Sequence, residues 1–305
     1  MPQGSGMPLI WRGLGLLAVA LALFPAFGRA ETILHEETSL YHSIVVFEEN
    51  GMRCLRFTRT ASKTTQTCVM PYFPDELMFP NIKAMLGALY IQPEPKKILM
   101  IGLGGGTLPT TLAKLYPDAE IDSVDIDPAI IKIAEKFFDY RVGPKQRAFA
   151  EDGRVFVKRA LQENRRYDLI LLDAFSAPVI PEHMTTREFL NEVRGILAPH
   201  GVFTVNTVPR AVMYDHESAT YESVFGRFYN LRVGGNRVIW IAADGLPTLE
   251  TLQANAERMD GRLSRFGFDY SWLSPLIGTA RDWNPAAQIL TDQFAPSNLL
   301  NVTPR

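Results

Sequence analysis

Cysteine and histidine are scarce in this chain, at two and five of 305 residues. They show no ligand spacing, so the sequence offers no zinc or iron site. An excess of positive charge is also missing. The 31 basic residues are balanced by 33 acidic ones, net −2, with no long basic run, and nothing points to a nucleic-acid partner. Internal repeats and low-complexity linkers are absent too. What remains, with 47% hydrophobic content, is a chain long enough for one large domain and a small appendage.

The one long uncharged run, Gly13 to Gly28, is rich in Leu and Ala and follows Arg12. Gly28-Arg-Ala30 places small residues where a leader peptidase needs them, so residues 1–30 read as a secretory signal peptide with the mature chain periplasmic or secreted. The alternative is an uncleaved anchor, the only route to a membrane, although the run is shorter than the roughly 20 residues of a spanning helix. Cys54 and Cys68 lie in strand-like runs, Met52 to Phe57 and Thr64 to Met70, around a turn at 60 to 63. They read either as a disulfide across a hairpin, suited to an oxidising compartment, or as two small buried thiols.

Residues 31–74 read as a small antiparallel β domain, with Ser43 to Glu48 apolar and β-branched and a turn at Glu49-Asn-Gly51. Residues 75–305 alternate helix and strand: a first helix over Asp75 to Ile91, then apolar strands at 98 to 101, 121 to 124, 168 to 172 and 201 to 207. Such alternation predicts an α/β fold with a mostly parallel sheet covered on both faces. Asn230 to Gly234 and Arg237 to Ala243 add a C-terminal antiparallel hairpin at its edge.

The segment from Lys97 to Asp125 carries the most chemistry. Ile98 to Ile101 feed Gly102-Leu-Gly-Gly-Gly106, a helix-like segment follows, and Asp125 closes the next strand. Glycines there let a ligand approach backbone N–H groups, and an acid about 20 residues on accepts hydrogen bonds from ribose hydroxyls. Asp127 is better placed than Asp125 to cap the helix starting near Pro128. Asp152-Gly153 precedes a helix from Arg154 to Asn164, and Asp152 reads equally as an acceptor for an adenine amino group or as a plain N-cap. Asp173 ends a buried apolar strand before the loop Ala174 to Pro181. A carboxylate there is expensive unless hydrogen-bonded or working, and beside a sulfonium it would attract an amine and accept its proton.

The order of these motifs resembles the spermidine synthases, or polyamine aminopropyltransferases, and within them a divergent bacterial branch. The resemblance covers most of the mature chain, from Ser39-Leu-Tyr-His-Ser-Ile-Val-Val-Phe-Glu48 through Val124-Asp-Ile-Asp-Pro128 and Glu151-Asp-Gly153 to Asp168–Pro181. It implies a class I methyltransferase-like, Rossmann-like fold and a homodimer. It further implies that Asp125 holds the ribose, Asp152 the adenine amino group, and Gly102 and Gly104 the methionine-derived portion. By the same carry-over Pro181 flanks the adenine, His42 touches the nucleoside, and Asp173 is the proton acceptor. The co-substrate would be decarboxylated S-adenosylmethionine or S-adenosylmethionine, the partner a small-molecule amine or adenosyl ligand.

Departures from the family pattern are equally informative. The family's glycine loop contains an aspartate that grips the polyamine; here Gly105 or its neighbour stands there. The second loop acid is absent from Asp173-Ala-Phe-Ser-Ala-Pro178, and Phe79-Pro-Asn81 occupies the place of a Tyr-His-Glu motif. Asp292, in Leu290-Thr-Asp-Gln-Phe-Ala-Pro296, would supply an acid if the tail folded over the site, or else cap or form a surface turn. Three readings follow: aminopropyl transfer to an amine; methyl transfer, against which Met100 stands where methyltransferases usually carry an acid; and an exported nucleoside or thioether binder without catalysis.

Overall fold

The computed structural model describes residues 31–57, 65–175, 180–209 and 212–296. The segment read as a signal peptide and the turn read at 60 to 63 lie outside them. Four strands, β1 (Thr32–Thr38), β2 (Ser43–Glu49), β3 (Met52–Arg56) and β4 (Thr65–Val69), form an antiparallel sheet in that order. Asn50 and Gly51 make the two-residue turn of the β2–β3 hairpin, both with positive φ, a conformation that Asn and Gly tolerate. The β3–β4 register sets Cys54 opposite Cys68, and the two are joined in a disulfide. The bridge is therefore the reading the structure contains.

Helix α1 spans Pro80–Leu86 and tightens into a 3-10 turn over Gly87–Tyr90. The sequence expectation of one helix from Asp75 is corrected here. Phe79 is extended, φ −99° and ψ 128°, because a residue before proline is pushed out of the helical region, whereas Pro80 itself suits a first turn.

The remainder runs β5 (Lys97–Ile101), α2 (Thr107–Leu115), β6 (Glu120–Asp125), α3 (Pro128–Phe137), β7 (Gln146–Ala150), α4 (Gly153–Gln162), β8 (Tyr167–Leu172), α5 (Arg187–Ile196), β9 (Leu197–Thr207), α6 (Tyr214–Phe225), β10 (Tyr229–Val233), β11 (Asn236–Ala242), α7 (Leu249–Leu263) and α8 (Tyr270–Leu273). Seven strands form one sheet in the order β10-β11-β9-β8-β5-β6-β7. Strands β5 to β9 are mutually parallel, and the hairpin β10–β11 adds antiparallel to β9. This is the α/β architecture read from the sequence.

Period-two alternation distributes the core. Ile98 and Met100 of β5 face a cluster with α1, α2 and α7, through Leu86, Leu112 and Met259, while Leu99 and Ile101 face one with α4, α5 and α6, through Phe156, Val193 and Tyr221. All these side chains are buried, so β5 reads as a continuous apolar run, as a strand covered on both faces must. The small sheet lays Ile44, Val46 and Leu55 on Ile130, Ile133 and Ala134 of α3. Strand order reverses between β6 and β8 on either side of β5, and ligands bind at such a switch point, outside the carboxyl ends of the strands. Among the described residues no helix is long and apolar enough to cross a membrane.

Candidate active site

At that switch point the glycine loop leaves β5. Gly102 donates its N–H to Val124 O at 2.8 Å. Its φ is +87°, and a Cβ there would lie 2.3 Å from the Asp173 carbonyl oxygen, so only glycine lets the ends of β5 and β8 meet. Gly105 N–H donates to Thr67 Oγ1 at 3.0 Å, tying the loop to β4 of the small sheet.

Two acids leave β6 and divide the work. Asp127 is the N-cap of α3, accepting from Ala129 N–H at 2.9 Å, and its second oxygen accepts from the Ser39 hydroxyl. Asp125 instead faces the cavity. Its oxygens accept from Leu103 N–H at 2.9 Å and Asp127 N–H at 3.0 Å. Burial pushes its carboxyl above the ordinary range, opposed by those two bonds. The Ser39 contact pins the β1–β2 turn to the start of α3, and His42, in that turn, stacks on Phe57 with ring centroids 4.0 Å apart.

Asp152 is the N-cap that the sequence allowed, and its second oxygen is turned to His183. One oxygen caps α4, accepting from Arg154 N–H at 2.9 Å and Val155 N–H at 3.0 Å; the other lies 2.8 Å from His183 Nε2. The His183 bond chiefly holds its carboxyl below the ordinary value. Behind this corner the buried Arg154 guanidinium bridges Glu192 and Asp292. Asp292 also accepts from Thr186 Oγ1 at 2.7 Å. The idea that Asp292 supplies an acid to the site is thereby corrected: both its oxygens are spent on Arg154, and it does not line the cavity.

Asp173, at the end of β8, accepts from Asn206 Nδ2 at 2.8 Å; Asn206 Oδ1 in turn accepts from Asn236 Nδ2 at 3.0 Å. Burial raises the Asp173 carboxyl and the Asn206 bond pulls the other way. A carboxylate short of water and held by one amide is a stronger proton acceptor than an exposed one.

These groups share one cavity of about 330 Å3, the size of a small-molecule site. His42, Gly102, Gly104, Asp125, Asp152, Gly153, Asp173 and Pro181, the candidates named from sequence, all line it. Ser39, Thr67, His183, Asn206 and Asn236 were not singled out from sequence. Only their distant partners give them meaning, although His183 two residues after Pro181 was a local hint.

Residues 84–233 match the spermine/spermidine synthase domain. The polyamine aminopropyltransferase of Vibrio vulnificus is 43% identical over 290 residues, 93% of this chain and 97% of that protein. The chain belongs to the spermine/spermidine synthase family. Two solved structures share this family member's fold: a spermidine synthase in complex with the transition-state analogue AdoDATO, 17% identical with TM-score 0.57 over 80% of this chain and 87% of the other, and human methyltransferase-like protein 13 in complex with SAH, 23% identical with TM-score 0.57 over 68% and 97%. Gly105 is buried, and a Cβ there would run into Thr67 and Phe138, so this position of the loop is closely packed.

Proposed function

We propose that the protein transfers an aminopropyl group from decarboxylated S-adenosylmethionine to an amine, a step of polyamine biosynthesis. The observation that supports it is the convergence of Asp125, Asp152 and Asp173 on one cavity at the carboxyl ends of the parallel strands β6, β7 and β8, which flank β5 and its glycine loop. The 43% identical Vibrio vulnificus protein bears the same activity in its name.

In this reading Asp125 keeps lone pairs toward the cavity for the two ribose hydroxyls, and Asp152 with His183 meets the polar edge of the adenine. Gly102 and Gly104 leave room for the substituents on sulfur. The acceptor nitrogen loses its proton to Asp173 and attacks the carbon next to the sulfonium in line. The carbon–sulfur bond breaks with its electron pair going to sulfur, leaving methylthioadenosine. Positioning supplies most of the rate, because the sulfonium is already a good leaving group.

Export is part of the proposal, supported by the uncharged run before Glu31 and by the Cys54–Cys68 bridge; N-terminal sequencing of the protein from a periplasmic extract tests it. A homodimer is proposed from family membership, to be checked by sedimentation. Calorimetric titration with methylthioadenosine, S-adenosylmethionine, its decarboxylated form and spermidine, run beside a turnover assay, tests the reaction. Methylthioadenosine binding without turnover of the decarboxylated donor by any amine would replace transfer with a binding role, and methylated product would replace it with methyl transfer.

A further inference from the structure

Asp173 ends a row of side chains that crosses the sheet. Its N–H donates to Ile101 O at 2.9 Å, continuing the ladder one residue past β8, and Leu172 stands beside Val205, so Asp173 comes beside Asn206 of β9. Asn206 stands opposite Val238 of β11, and Asn236 is two residues earlier on that strand, on the same face. Hydrogen bonds join the three in order. Asn236 Nδ2 donates to Asn206 Oδ1 at 3.0 Å, and Asn206 Nδ2 donates to Asp173 Oδ1 at 2.8 Å. Only Asp173 of the three lines the cavity, with Asn206 buried behind it.

Every donor in this row points toward Asp173. An ionised carboxylate only accepts, so Asn206 must turn its NH2 to Asp173 and its carbonyl oxygen toward β11. That oxygen needs a donor, and Asn236 supplies it. A tight turn sets the place of Asn236: Gly234 and Gly235, both at positive φ, join β10 to β11, and a Cβ on Gly234 would come within 3.2 Å of Pro80 at the start of α1. Nearby charges are engaged elsewhere. Arg237 lies over the Tyr214 ring and Glu217 holds Thr207, both on the opposite face of the sheet, while Arg232 is paired with Asp282 and Lys83 of α1 with Glu76. The other acids and histidines lining the cavity are Asp125, Asp152, His42 and His183. Burial and the Asn206 bond are what shift the Asp173 carboxyl, in opposite senses.

We propose that Asn236 is a positioning residue for proton acceptance: the hydrogen bond it donates sets the sense of the Asn206 amide and so keeps Asp173 an acceptor in the cavity. The inference rests on the aminopropyl-transfer reading for the use made of that acceptor. The isosteric change Asn236→Asp reverses the row. The new carboxylate accepts, the Asn206 amide turns its NH2 to it, and the Asn206 carbonyl oxygen then faces Asp173, which meets it only by holding a proton. The protonated form gains, so the titration of Asp173 moves to higher pH.

The test follows Asp173 itself, by carbon-13 NMR of the full-length protein labelled at its aspartate carboxyls, with the Asp173 signal assigned by its loss in Asp173→Asn. The pH profile of kcat/KM with the decarboxylated donor and putrescine is recorded beside it. Asn236→Asp is expected to raise the Asp173 midpoint by about one pH unit or more, a tenfold change in its protonation equilibrium. The acid limb of kcat/KM should move with it, and methylthioadenosine affinity should stay unchanged. Asn236→Ala alters the shape more but leaves the amide free to keep facing Asp173, so it should move the midpoint roughly a third as far. In an Asn206→Ala background, Asn236→Asp should move it no further. An unmoved midpoint, or a shift with Asn236→Ala as large as with Asn236→Asp, overturns the inference. So does the same shift in the Asn206→Ala background, because the added charge would then act through space. A raised midpoint in a protein that forms no methylthioadenosine would leave the positioning role standing and remove the transfer reaction.

Discussion

At the scale of single residues, two buried acids set the pH behaviour. Asn206 donates to Asp173 and is itself fixed by Asn236, so it acts as a positioning residue for the proton acceptor. Asn206→Ala removes a bond that favours the ionised carboxylate; the acid limb of kcat/KM should move to higher pH. Losing a hydrogen bond to a charged group should lower kcat/KM roughly tenfold to a hundredfold, with methylthioadenosine affinity unchanged. An unmoved acid limb would show that Asp173 is not the group titrating. Glu217 is buried on α6, bonded to Thr207 Oγ1, and burial pushes its carboxyl up to about 7 despite the nearby Arg237 charge. A raised carboxyl leaves folded stability intact below the ordinary value and removes it as pH climbs toward 7. Glu217→Gln should therefore be the more stable protein at pH 8, by roughly 2–3 kcal/mol, and should lose that advantage below pH 5; urea unfolding at both pH values measures it.

At the scale of elements, the C-terminal segment is a strap. Thr291 and Phe294 form a bridged turn, Arg187 N–H donates to Leu290 O at 2.8 Å, and Asp292 meets Arg154 behind the α4 N-cap. Asp292→Ala leaves Arg154 its Glu192 partner, so the cost is modest, about 1 kcal/mol for a half-exposed pair. Because Arg154 holds the Asp292 carboxyl below its ordinary value, that stabilisation exists above the ordinary carboxylate range and disappears as pH falls. The variant should equal the parent in acid and trail it at neutral pH by urea unfolding. The strap shows where sequence reading stopped. Strands with unbroken apolar runs, such as Leu169 to Leu172, were legible because burial on both faces leaves one pattern. The start of α1 was misplaced because the apolar residues between Asp75 and Pro80 pack against Phe266 and the small sheet rather than continuing a helix. Asp292 was legible as an acid but not as the partner of Arg154, 138 positions away. The cavity-lining acids are readable because each lies at or just past the end of a strand, whereas Asn206 and His183, which orient two of them, and Thr67, which holds the glycine loop, are contributed by distant strands and turns.

At the scale of the whole molecule, the small sheet is a wall of the site rather than an appendage. Gln66, Thr67 and Cys68 line the cavity, and Thr67 receives Gly105 N–H. The Cys54–Cys68 bridge closes a 14-residue separation, and removing such a link costs about 3 kcal/mol. Replacing both cysteines by serine should lower the melting temperature and weaken methylthioadenosine binding together, since the same hairpin carries both; a fall in stability with unchanged affinity would separate the hairpin from the site. The central claim is that this wall, the glycine loop and Asp173 together form an aminopropyl-transfer site. The most direct measurement is mass spectrometry of reactions containing the purified protein, decarboxylated S-adenosylmethionine and a panel of mono- and diamines. Methylthioadenosine and an acceptor heavier by one aminopropyl group, formed in equal amounts and absent with Asp173→Asn, is the expected result; methylthioadenosine binding with no such product from any amine would contradict it.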